Sequence, residues 1–174
     1  MTDLRGVPVA KLPSPCYAID EALLDANLTV LSRVQKESGA KIILALKGFA
    51  NWATFPQLNQ VLAGSTASSL HEALLGDEFF GGEVHVYAVA YKDDEIDAIA
   101  DLAHHLTLNS LSQWERLQSR AASRPDAPSC GLRINPGYSE VDVNLYNPCR
   151  PGTRFGVDAA TLASWWDTPA ARNV

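Results

Sequence analysis

The chain has 174 residues, of which 47% are hydrophobic and 20% charged, with a formal net charge of −6. This composition excludes a disordered chain, and the acidic balance argues against a dedicated nucleic-acid-binding module. No apolar run approaches the roughly 18 residues of a membrane helix, and the first residues hold no signal-peptide core, so a cytoplasmic protein without a membrane partner is expected. The three cysteines Cys16, Cys130 and Cys149 form no C-x-x-C pair. His71, His85, His104 and His105 complete no zinc-ligand spacing, so no metal is expected.

In chain order, the opening through Pro15 is proline-rich and irregular. Residues 16–19 form a short apolar run that suits a strand. Asp20 reads as the N-cap of a helix over 21–37, with Leu24, Leu28 and Leu31 on one stripe and Gly39 beyond its end. The run Ile42–Leu46 marks a strand covered on both faces. A helix is expected over 55–62, with Pro56 in its first turn. A strand over 63–67 follows, then a helix opened by Ser69. EVHVYAVA, residues 83–90, is the clearest strand. Asp93 and Asp94 start a helix carrying Ile96, Ile99 and Ala103. A strand over 105–109 leads to a helix with Leu111, Trp114 and Ala121 on one face. Pro125 and Pro128 bracket a loop, and 130–134 is a further strand. A long loop over 135–152 comes next, and Asp158 caps a last helix that runs to Trp166.

Strands and helices therefore alternate, which is the pattern of a parallel βα sheet. A doubly wound sheet would want a G-x-G-x-x-G first turn, and none is present. A (β/α)8 barrel needs about 250 residues and eight strands. Five βα strands run from Ile42 onward, so the pattern leaves two readings: a doubly wound fold, or the front of an incomplete barrel.

Several residues could carry chemistry. Lys47 closes the apolar strand Ile42–Leu46. At the C-terminal end of a barrel strand, apolar walls would favour a neutral amine able to attack a carbonyl. Ordinarily, a lysine at a strand end reaches into water. Ser69 and Glu72 fit the capping box S-x-x-E, and a helix start at a barrel mouth can also face an anion. Arg133 falls inside the apolar strand Leu132–Ile134 and needs either a carboxylate or an anion. His104 and His105, at a helix end, read as structural. The segment 135–156 is long, and it holds Tyr138, Glu140, Asp142, Tyr146, Arg150 and Arg154, a mixture suited to a polar, charged ligand.

ILALKGFAN, then TASSLHEALLG, then LRINPGYSEVDVNLYNPCRPGTRFGV together resemble the carboxynorspermidine (carboxyspermidine) decarboxylase family. That family belongs to the alanine-racemase-like, fold-type-III enzymes that use pyridoxal phosphate. The resemblance runs from about Ser14 to Val157. It implies an incomplete (β/α)8 barrel spanning 1–174, with the later strands, the glycine-rich phosphate loop and a C-terminal β-domain lacking. It implies a decarboxylase of polyamine biosynthesis, acting on a small polyamine substrate as a homodimer. By resemblance, Lys47 matches the lysine that carries the cofactor, and Ala45 a residue under its ring. Ser69, Glu72 and Arg133 match residues near the cofactor, and Arg154 a loop residue that approaches the site. Thr66 aligns with an acidic position of ornithine decarboxylase. Glu140 and Asp142 are available to the cationic tail of the substrate. The other readings are a non-catalytic PLP-binding or interaction protein and an inactive fragment.

Overall fold

A computed structural model describes residues 10, 12–122 and 127–173, with the side chains of 118–122 and 172–173 excepted. Helix α1 covers Glu21–Ser38, where Asp20 accepts from the N–H groups of Ala22 and Leu23. Gly39 ends it in the left-handed conformation (φ 71°), which suits a residue without Cβ. Strand β1 is Ile43–Ala45 and helix α2 is Phe55–Leu58, preceded by a 3-10 turn at Trp52–Thr54. Then come β2 (Gly64–Ala67), α3 (Leu70–Leu75), β3 (Glu83–Tyr87), α4 (Ile96–Leu102), β4 (His105–Leu108), α5 (Leu111–Ala122) and β5 (Ser129–Leu132). The short β6 (Ile134–Asn135) and β7 (Val157–Asp158) pair with each other, and α6 is Ala159–Trp166.

Strands β1 to β5 form one parallel sheet in sequential order. A doubly wound sheet reverses its order at a switch point, and this sheet has no reversal. The residue registers put alternate side chains on two unlike faces. Ser65, Ala67, Val84, Val86, Leu106 and Leu108 are buried on one face. They share a core with Leu28 of α1, Phe55 and Leu58 of α2, Ile99 of α4 and Trp114 of α5. The helices therefore cover one face only. The other face carries Ala45, Thr66, Glu83, His85, Tyr87, His105 and Thr107, all half-buried or exposed. A one-sided cover with sequential strands is the arrangement of a barrel segment.

Several expectations are corrected. Residues 16–19 form no strand, and Tyr17 is fully exposed with no strand paired to it among the described residues. Ile42–Leu46 is covered on one face, not two. The helix expected over 55–62 stops at Leu58 and continues as turns. β3 ends at Tyr87, three residues early, where the Ala88 N–H donates to the Tyr91 hydroxyl (3.0 Å) instead of to a strand. Helix α4 starts after Glu95 with no side-chain cap, so Asp93 and Asp94 lie in the preceding turn. Residues 130–134 are not one strand: β5 ends at Leu132 and β6 begins at Ile134, with Arg133 at the break. The helix after β4 and the last helix lie where the sequence pattern puts them, the latter capped by Asp158, which accepts from the Thr161 N–H (2.9 Å). Pro125 lies outside the described residues.

Candidate functional site

In parallel βα architecture, the C-terminal edge of the strands collects ligand-binding groups. Here every strand of the main sheet delivers a polar residue to that edge. Lys47 lies in the turn after β1, where Gly48 and Phe49 N–H groups donate back to the Ala45 carbonyl (2.9 and 3.1 Å). Lys47 is exposed, in place of the expected enclosure by apolar walls. No described hydrogen bond or ion pair involves its ammonium group. Ala45, two residues earlier, turns its methyl to the open face and is exposed.

After β2, Ser69 caps α3 by accepting from the Glu72 N–H (3.2 Å). Glu72 reaches back to the Ser68 N–H (2.6 Å) and not to Ser69 itself, so the capping box closes one residue early. The two residues are held by local helix chemistry, as their spacing implies.

Arg133 has neither a carboxylate partner nor a buried-strand position among the described residues. Its Nη1 donates to the Tyr87 hydroxyl (2.7 Å), and its guanidinium lies 4.9 Å from the Tyr87 ring and 4.6 Å from the Phe155 ring. Two aromatic rings within about 6 Å suit a cation, since ring faces are electron-rich. The Tyr87 hydroxyl in turn donates to Asn109 Oδ1 (2.8 Å), which also accepts from the Gly156 N–H (2.9 Å). Arg154 is exposed, with its guanidinium 5.4 Å from the Phe155 ring and its carbonyl accepting from Asn109 Nδ2 (2.8 Å). Gly156 is required here twice over: φ is +78°, and a Cβ would stand 2.9 Å from the Arg133 carbonyl oxygen.

The structure thus joins Arg133 to the loop 154–156 through Tyr87, Asn109 and Phe155, three residues that sequence reasoning passed over. One signal pointed to Tyr87 and Asn109: each stands at or just after the end of its strand, as Lys47 and Arg133 do. No described contact joins Lys47 to Arg133, which follow the two outermost strands of the main sheet. Nor does any described hydrogen bond join Glu140 or Asp142, both exposed, to either of them. Thr66 is half-buried on the open face beside Ala45, its register partner on β1.

Lower on the open face, Glu83, His85 and His105 bring ligand atoms within 4.8 Å of one another, a grouping that sequence spacing had not suggested. Both carboxylate oxygens of Glu83 are already engaged, Oε1 by the Lys41 ammonium and Oε2 by His85 Nε2 (3.1 Å). His85 and His105 stack at 4.3 Å. The Lys41 hydrogen bond, then that of His85, holds the Glu83 carboxyl down at about 2. The cluster is closed by the protein's own cation. His104 is structural, its Nδ1 accepting from the Val84 N–H (3.1 Å).

No family model matches the chain. It is 51% identical over 160 residues to carboxyaminopropylagmatine decarboxylase of Synechocystis, covering 92% of this chain and 41% of that protein. It is 43% identical to the carboxynorspermidine/carboxyspermidine decarboxylase of Herminiimonas arsenicoxydans, covering 83% of this chain and 39% of the relative. The Campylobacter jejuni enzyme of the same name is 40% identical, with 86% and 38% covered. In sequence the chain is a homologue of these carboxy(nor)spermidine decarboxylases. It spans about two fifths of the length of the curated relatives it matches. A crystal structure of the Campylobacter jejuni decarboxylase with norspermidine superposes with a TM-score of 0.73 at 37% identity, over 86% of this chain and 37% of that one. Diaminopimelate decarboxylase of M. jannaschi shares the fold, with a TM-score of 0.66 at 19% identity, over 87% of this chain and 37% of that one. Among the described residues, no helix is long and apolar enough to cross a membrane.

Proposed function

We propose that this chain supplies the lysine-bearing wall of a pyridoxal-phosphate-dependent decarboxylase whose substrate is a carboxylated polyamine. The identity to decarboxylases so named, together with a lysine at the C-terminal end of β1, carries the reading. The residues present suit the cofactor. Lys47 offers an exposed amine with no described partner, Ala45 leaves space beside it on the open face, and Arg133 offers donors for an anion.

When bound, the cofactor supplies an electron sink for the pair left behind by departing CO2. Lys47 Nζ would hold it covalently as an amine nucleophile. Ala45 would lie beneath it. Arg133, with Ser69 and Glu72 at the start of α3, would line the same edge and orient charged groups. Arg154, next to Phe155, would approach from the loop. Glu140 and Asp142 would offer carboxylates to the cationic tail of the substrate. The names of the relatives differ in their substrates, carboxyaminopropylagmatine in one and carboxynorspermidine or carboxyspermidine in the others. The common element is a carboxylated aminopropyl amine, and that class is the one proposed. The one-sided sheet, whose two edges are unpaired among the described residues, suits the first five units of a barrel whose closing strands cover the open face. Activity would then belong to the closed barrel, with a second copy as the expected partner.

The test is reduction with borohydride after incubation with pyridoxal phosphate, followed by peptide mapping. Label on Lys47, absent from Lys47→Ala, is expected. Label spread over exposed lysines without preference for Lys47 overturns the assignment.

A further inference from the structure

We propose that Asn109 is a positioning residue for Arg133, acting through Tyr87 and the loop 154–156. What Arg133 meets at the strand edge follows the function proposed above. How it is held rests on geometry alone.

Arg133 is a long side chain with several rotatable bonds, and it sits at the break between β5 and β6. Nothing in its own strand orients it. Two groups do so: the Tyr87 hydroxyl, which takes one of its five N–H donors, and the Tyr87 and Phe155 rings, 4.9 and 4.6 Å from the guanidinium. The other donors have no described partner and are open to an anion.

Both of those groups are fixed by Asn109. Its side chain is buried and its amide is spent on this one task. Oδ1 accepts from the Tyr87 hydroxyl at 2.8 Å and from the Gly156 N–H at 2.9 Å. Nδ2 donates to the Arg154 carbonyl at 2.8 Å. Phe155, the second ring over Arg133, lies between the two loop residues that Asn109 grips. One amide therefore holds both the phenol that accepts from Arg133 and the loop that carries the Phe155 ring. Asn109 is itself held: its N–H donates to Gln113 Oε1 (2.6 Å), and Gln113 Nε2 donates to the Val89 carbonyl (2.8 Å). Hydrogen bonds linked in such a network rigidify one another's partners.

The experiment measures the reaction of each arginine with phenylglyoxal, by peptide mass spectrometry on the whole purified chain. Asn109→Ala removes all three side-chain bonds. Tyr87→Phe removes only a hydroxyl and keeps the ring, so it remains informative where the first variant folds poorly. In both, the rate at Arg133 is expected to rise about fivefold, the factor that one lost hydrogen bond supplies. Rates at Arg33 and Arg116, whose described ion pairs are to Glu37 and Asp93 and not to this network, are expected to stay unchanged. Asn109→Asp keeps the acceptor for Tyr87 and Gly156, and is expected to keep Arg133 slow. An unchanged rate at Arg133 in Tyr87→Phe overturns the inference. So does a parallel rise at Arg33 and Arg116 in both variants, which is the mark of general loosening. Addition of pyridoxal phosphate to the unsubstituted chain separates the two readings. Protection of Arg133 supports both, whereas a fivefold variant effect without protection upholds the positioning role and counts against the cofactor.

Discussion

Glu83 and His85 stand two residues apart on β3 and turn to the same open face, with Glu83 Oε2 and His85 Nε2 3.1 Å apart. With Lys41 on the other oxygen, the carboxylate is held charged far below the usual carboxylate range, at about 2 against 4.5. The ionised form is favoured in the folded state. Its contribution to stability is therefore present above pH 4.5 and is lost as pH falls toward 2. Observation of the Glu83 carboxyl carbon by NMR should give a midpoint near 2. Lys41→Met, which removes the largest cause, should move it upward toward 4.5. An unmoved midpoint would show that the Lys41 pair does not form in solution.

Tyr91 behaves in the opposite sense. Burial, the main cause, pushes its phenol up to about 12. The neutral form is the folded form, so its contribution is complete below pH 10 and disappears as pH rises to about 12. The hydroxyl donates to the Thr107 carbonyl at 2.7 Å and accepts from the Ala88 N–H at 3.0 Å. Tyr91→Phe strands both backbone groups and should cost about 1–3 kcal/mol by urea unfolding. It should also flatten the alkaline limb of the stability curve.

Trp114 of α5 meets Trp165 of α6 edge-to-face at 6.3 Å, and its Nε1–H donates to the Ala170 carbonyl (3.3 Å). This contact ties the last helix to α5. Trp114→Ala should cost about 3–5 kcal/mol, since it leaves a cavity under two helices. Thermal unfolding would read it, and a change below about 1 kcal/mol would mean that α6 docks without it.

Lys47→Ala should leave stability within about 0.5 kcal/mol, because the side chain is exposed and makes no described contact. The same variant should lose borohydride-trapped pyridoxal phosphate. Loss of both stability and label would identify a structural lysine, whereas loss of label alone supports the cofactor role.

Local chemistry made much of the fold legible. Asp20 and Asp158 cap helices because each accepts from N–H groups two or three residues on, a contact that needs no tertiary partner. The alternation of strands and helices, and the placing of Lys47, Ser69 and Glu72 at strand or helix ends, follow from patterns within a few residues. So do the phrases shared with decarboxylases. The tertiary structure alone decided which face of each strand is covered. Ile42–Leu46 reads as buried on both sides, yet helices pack on one. It also decided that Arg133 interrupts a strand, and that Tyr87 and Asn109 serve it. The bonds responsible join residues 22, 46 and 47 positions apart. Hydrophobic periodicity reports whether a residue faces a core, but it does not report which distant polar atom will satisfy a buried amide. Only the pairing of β3, β4 and β5 brings those atoms within hydrogen-bond reach.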